Sequence, residues 1–134
     1  MFRKMMRAKI HRATVTQCVP DYVGSITIDA NLLDAAGIRP NEAVHVLDID
    51  NANRFETYVF RGEPGSGIIA VNGAAAKLVE KGHKIIIVSY GLLLEDKIDE
   101  HISNTVIADE SNQVQQLLTY DSLINAPADS FSDC

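Results

Sequence analysis

The chain has no tryptophan, and Tyr and Phe together make up only 6% of its 134 residues. Its core must therefore be filled by Val, Ile, Leu and Ala, which suits one small domain. Only two cysteines occur, Cys18 and Cys134, with no metal-ligand or framework spacing. A disulfide scaffold is excluded, and a reduced cytoplasmic location is the expectation. No apolar run approaches the ~20 residues that span a bilayer. The basic start of the chain lacks an apolar stretch, so neither a membrane anchor nor a secretory signal is expected. Lys and Arg are missing altogether after Lys97, where seven acidic residues follow. The net charge of -6 argues against nucleic acid as a partner. The early cluster Arg3, Lys4, Arg7, Lys9 and Arg12 precedes any acid and could serve small anionic ligands as easily as a polyanion.

Short β-type runs dominate what is present. Met5–Thr16, Tyr22–Ile28, Ala43–Ile49, Phe55–Phe60, Ile68–Val71, Ile85–Leu94 and Thr105–Ala108 read as strands, the fourth a hairpin partner of the third. Asp29 reads as the N-cap of a short helix, Ala30–Ala36, closed by Gly37. A second short helix is expected over Ala74–Glu80, after an Asn72-Gly73 turn. From about Glu110 the chain is rich in Ser, Asn, Gln and Asp, and residues 113–134 read as a flexible tail. Many short strands with two short helices suggest a small closed barrel, because a small open sheet would expose its edges.

The candidate chemistry starts at Gly24-Ser25. A Ser hydroxyl can attack the preceding carbonyl, converting the amide to an ester, and Gly leaves that carbonyl open. Elimination and hydrolysis would then leave a pyruvoyl ketone at residue 25, able to take up an amine and accept electrons. The dipeptide recurs at Gly65-Ser66, where a plain turn explains it, and sequence physics alone does not say which copy is reactive. Tyr58 follows Thr57 on a strand, where neighbours point to opposite faces, so the two should not both enter one pocket unless a bulge or irregular backbone intervenes, one acts through its backbone, or the site is shared between subunits. Exposed N–H groups after Asn72-Gly73 could hold an anion. Arg54 could grip a carboxylate in bidentate fashion and Lys9 could offer a point charge. His11, two residues after Lys9, shares its strand face. His45, His83 and His101 read as surface or structural, and no set of residues has metal-ligand spacing.

The ordered blocks Lys9-Ile10-His11-Arg12, Tyr22-Val23-Gly24-Ser25-Ile26-Thr27-Ile28-Asp29, Leu33-Asp34-Ala35-Ala36-Gly37-Ile38, Asn53-Arg54-Phe55-Glu56-Thr57-Tyr58 and Val71-Asn72-Gly73-Ala74-Ala75-Ala76 resemble the bacterial aspartate 1-decarboxylase family. The likeness covers roughly residues 1–112 and implies a six-stranded double-psi β-barrel with short helices over that span. It implies self-cleavage into a 1–24 β chain and a 25–134 α chain, assembled as a homotetramer. The activity implied is decarboxylation of L-aspartate to β-alanine for pantothenate and coenzyme A synthesis. Residue by residue, Ser25 becomes the pyruvoyl centre and Tyr58 the proton donor. Thr57, Gly73, Ala74, Ala75, Arg54 and Lys9 bind substrate, and Gly24, Asn72, Tyr22 and His11 lie at the processing site. A maturation partner is left open. The competing readings are a DNA-contacting barrel module, an uncut structural subunit, and a pyruvoyl decarboxylase for histidine, arginine or S-adenosylmethionine. The negative charge, the retained Ser25 and Tyr58, and the two cations suited to a diacid weigh against them in turn.

Overall fold

The computed structural model describes residues 1–122. Nine strands are found among the described residues: β1 (Phe2–Thr14), β2 (Gln17–Val19), β3 (Ser25–Asp29), β4 (Ala43–Asp48), β5 (Arg54–Gly62), β6 (Ile69–Asn72), β7 (Lys84–Leu94), β8 (Ile102–Ala108) and β9 (Val114–Asp121). One α-helix, α1 (Ala30–Ala36), follows β3.

The ladders run β2-β6-β3-β5-β4-β7-β1-β8-β9. β1 and β2 are one strand interrupted only at Val15 and Thr16, and Thr16 still bonds across to Ile69 through its N–H (2.8 Å). The β1–β2 strand therefore pairs β7 with its first part and β6 with its last, which closes a ring of six strands. Within the ring, β2 and β3 lie either side of β6, and β5 and β6 lie either side of β3. β6 runs parallel to β2 and antiparallel to β3, while β3 runs parallel to β5. Each flanking pair is thus antiparallel with a strand between its members, and two such interlocked motifs make a double-psi barrel. Closure leaves no open edge within the ring. β8 adds in parallel outside β1, and β9 pairs β8.

The barrel is filled by aliphatic side chains, including Ile10, Ile26, Ile28, Leu33, Val46, Val59, Ile69 and Ile87, all fully buried. Helix α1 buries Leu32 and Leu33 in the same core. Its caps are those expected: the Asp29 carboxylate accepts the Asn31 N–H (2.8 Å), and Gly37 is left-handed at φ 77°. Asp29 does more than cap, because its buried oxygens also accept the N–H groups of Gly65 (3.0 Å) and Gly67 (2.8 Å). One carboxylate thus ties the 63–68 turn to the start of the helix.

Several expectations need correction. The strand read over Tyr22–Ile28 begins only at Ser25, since residues 20–24 turn. Ile85–Leu94 is buried only in its first half; Tyr90, Leu92 and Leu94 are exposed. The second helix is a 3₁₀ turn over Gly73–Lys77. Thr105–Ala108 is not the last strand, because part of the stretch read as a tail forms β9. The turn before it is pinned by buried Asn112, which bonds the Thr14 N–H (2.7 Å) and the carbonyls of Thr14 and Gly67 (both 2.8 Å). The rest of the stretch read as a tail, residues 123–134, lies outside the described residues.

His83, read as surface or structural, anchors the far end of β4: its Nδ1 meets the buried Asp48 carboxylate at 2.7 Å. That hydrogen bond, with the charges of Asp48, Asp50 and Glu80, raises the His83 pKa against the opposing effect of burial. A raised folded pKa means the pair stabilises fully below the unfolded value of about 6.5, and this is lost as pH rises through the folded value. Thermal melts from pH 6 to 9 should show the wild-type advantage over His83→Gln largest at the acid end, shrinking with alkali.

Candidate active site

A cavity of about 330 Å³ opens on the barrel, lined by Gly24, Ala43, Glu56, Thr57, Tyr58, Asn72, Ala74 and Ala75. That volume is at the small end of the roughly 300–1,000 Å³ typical of small-molecule sites. The β3–β6 ladder sets one wall: Asn72 lines the cavity, and Ser25, which does not line it, is the direct ladder partner of Asn72. Both residues are buried. Asn72 Nδ2 donates to Ser25 Oγ at 2.9 Å and lies 3.3 Å from Thr27 Oγ1. The Ser25 hydroxyl in turn donates to the Val23 carbonyl at 3.3 Å. With its amide committed to Ser25, Asn72 makes no side-chain cap on the 3₁₀ turn that follows.

Gly73 shows why two glycines meet here. Its φ is 79°, and a Cβ placed on it would lie 2.6 Å from the Gly24 Cα. Only a residue without a side chain lets this backbone touch that of Gly24. On the other side, the Tyr58 hydroxyl is 3.8 Å from where a Gly24 Cβ would stand. Gly24 is therefore held between the β6 end and Tyr58, at the edge of the cavity.

The second Gly-Ser copy has none of this. Ser66 is exposed, and its hydroxyl and N–H both bond the Glu63 carbonyl, at 2.6 and 3.2 Å. Burial and partners, which the dipeptide does not encode, separate the two copies.

Thr57 and Tyr58 both line the cavity, against the expectation from strand alternation. The ladders give the reason. β5 pairs β4 only over residues 54–58, and pairs β3 only from Val59 onward. At residues 56–58 the β3-side edge of β5 has no ladder partner, which leaves consecutive residues free to border one cavity.

The remaining sequence-derived candidates are not among the cavity-lining residues. Arg54 is exposed at the start of β5, on the face shared by Glu56 and Tyr58. Tyr22 is exposed in the turn before Gly24 and lends its carbonyl, 3.5 Å from the position of a Gly73 Cβ. Lys9 stands in a row of paired residues, Lys9, Val88, His45 and Glu56, across β1, β7, β4 and β5. At about 4.8 Å per strand it is roughly 14 Å from Glu56 along the sheet. His11 sits beside Lys9, and burial, then Lys9 and Arg12, depress its pKa. Its buried Nδ1 has no hydrogen-bond partner among the described residues.

Sequence reading missed Ala43 and Glu56 as cavity-lining residues. Glu56 pairs with His45 at 3.1 Å. Their direct opposition in the β4–β5 hairpin was the available signal. Asp48, Asp50 and His83 bring donor atoms within 4.8 Å of one another. Those groups already serve each other and the N–H groups of Asp50 and Lys84, so the fold accounts for them.

The aspartate decarboxylase family model matches residues 1–115. The chain belongs to the aspartate decarboxylase family. A Geobacillus sp. (strain WCH70) aspartate 1-decarboxylase is 54% identical over 118 residues, covering 88% of this chain and 93% of that one. A Neisseria meningitidis (serogroup C, serotype 2a) aspartate 1-decarboxylase is 50% identical over 121 residues, covering 90% and 95%. A rationally designed protein of known crystal structure, mkDPBB_sym1, aligns at TM-score 0.44 and 21% identity over 65% of this chain and 96% of its own. Membership makes the chain an enzyme of the decarboxylase type. No helix among the described residues is long and apolar enough to cross a membrane.

The glycine contacts yield a stability prediction. Gly73→Ala forces a side chain into left-handed backbone, a cost of about 1–3 kcal/mol before the clash with Gly24 is added. Gly24→Ala, whose Cβ meets nothing nearer than 3.8 Å, should cost little. Chemical denaturation of the two variants measures the difference.

Proposed function

We propose that this chain cuts itself between Gly24 and Ser25 and decarboxylates L-aspartate to β-alanine and carbon dioxide, the product feeding pantothenate and coenzyme A synthesis in the cytoplasm. The observation that carries the reading is the buried Ser25–Asn72 hydrogen bond, 2.9 Å long, beside a cavity that Tyr58 borders.

In the cutting step the Ser25 oxygen attacks the Gly24 carbonyl carbon. The C–N bond breaks, an ester forms, and the hydroxyl proton ends on the freed amine. Asn72 holds the attacking oxygen in place, and the Gly73 contact fixes the Gly24 backbone beneath it. Loss of the residue-25 α-proton and departure of the Gly24 carboxylate split the chain. Water then displaces ammonia to leave the ketone. Whether a maturation partner assists is decided by the purified chain's own cutting.

The buried position of Ser25, with a small cavity against it, fits such a group. A ketone at residue 25 would supply amine capture and an electron sink. The chain's own residues do the rest. Tyr58, half-exposed with its hydroxyl directed over Gly24, is the proton donor to the carbon that loses carbon dioxide. Thr57 and the Gly73-Ala74-Ala75 backbone hold substrate polar groups. Arg54 takes a carboxylate from the Tyr58 face of β5. Lys9, too distant along its own sheet, contributes with His11 from a neighbouring copy, in keeping with a homotetramer.

Ser25→Ala should remain one chain and form no β-alanine. Tyr58→Phe should still cut, yet turn over ~10²–10⁴-fold more slowly. Normal β-alanine formation by an uncut Ser25→Ala chain would overturn the proposal; quantifying β-alanine alongside denaturing electrophoresis gives both readouts.

A further inference from the structure

Among the described residues lining the cavity, Glu56 is the one charged side chain; its neighbours there are Gly24, Ala43, Thr57, Tyr58, Asn72, Ala74 and Ala75. It lies two residues before Tyr58 on β5, hence on the same face. The carboxylate is held in place. His45 Nε2 meets Glu56 Oε2 at 3.1 Å, and Oε1 accepts no hydrogen bond among the described residues. The His45 ring is braced edge-on by Tyr90, with centroids 5.2 Å apart and planes at 81°. Lys4 Nζ lies 4.7 Å above the Tyr90 ring. A hydrogen bond this exposed contributes little to folding. Its bracing matters for what the cavity meets.

A carboxylate in the wall of a cavity that admits a diacid repels both ends of that diacid. The repulsion is offset only if the carboxylate meets a cation on the same molecule. Aspartate carries one, the α-ammonium, between its two carboxylates. We propose that Glu56, oriented by His45, receives the substrate's ammonium group on entry, before the amine reaches residue 25, so that the cavity selects an amino diacid over the same diacid without the amine. Oε1 makes the charge-assisted contact, while Oε2 stays on His45. Specificity arises from both signs of one charge: attraction for the amine and repulsion of carboxylates that lack one. Glu56 is a specificity and positioning residue in this account. The inference rests on the aspartate reading above.

The test compares L-aspartate with succinate, which differs by the amine alone, on the full chain as purified. In the wild type, Glu56→Gln and Glu56→Asp, aspartate KM and kcat are measured together with the succinate inhibition constant. Ligand-observed NMR gives the affinities of both compounds independently of turnover. Glu56→Gln should raise the aspartate KM about tenfold, the scale of a lost charge-assisted contact, with kcat little changed. Succinate should bind the same variant more tightly, and Glu56→Asp should recover part of the preference. Equal shifts for aspartate and succinate, or no shift in either, would overturn the proposal while turnover continues. A wild-type chain that binds both ligands without turnover would instead sink the decarboxylase reading, and the NMR preference would still decide the role of Glu56.

Discussion

The hydrogen bond from Asn72 to Ser25 exists because β3 and β6 pair in one register, with those two residues opposite each other. A slip of one residue would turn every side chain on β3 to the other face. Ile26 and Ile28 would leave the core, and Ser25 would lose Asn72 as its partner. Register is enforced from both sides, because β3 is also laddered to β5, and β6 to β2. Ring closure is therefore what holds Ser25 still. The same register brings Gly73 against Gly24, where any side chain on Gly73 would collide. Folding energy from the aliphatic core thus fixes the geometry of a polar site that stabilises little by itself.

Much of this was legible in the residues. The α1 caps, Asp29 and Gly37, stand where short-range rules put them, because capping depends only on neighbours in sequence. The β4–β5 hairpin was visible for the same reason. Burial was harder to read. Nothing in the dipeptide separates buried Ser25 from exposed Ser66; only the ladder partner of the first and the turn around the second do so. The missed strand β9 has a weak pattern, with two glutamines and no β-branched residue beyond Val114 and Thr119. Its order comes from Asn112, whose side chain bonds residues far away in sequence. Thr57 and Tyr58 border one cavity because β5 changes ladder partner between them and Val59, a tertiary fact that alternation does not contain.

Charge around the site is spread unevenly over the fold. The cavity wall carries Glu56 alone as a charged side chain among the described residues, while Arg54 stands further along β5 and Lys9 three strands away. A diacid needs cations that this arrangement does not gather within one chain. The assembly of several copies proposed above would answer that need.

The central claim is that the buried Ser25 is converted into a ketone at a chain break. Intact mass spectrometry of the denatured protein, before and after reductive trapping with L-aspartate, tests it most directly. The account predicts two fragments, one ending at Gly24 and the other beginning at a blocked residue 25 that alone gains the substrate's mass. A single uncut chain that gains no mass, even after incubation with cell extract to supply any maturation partner, would contradict it.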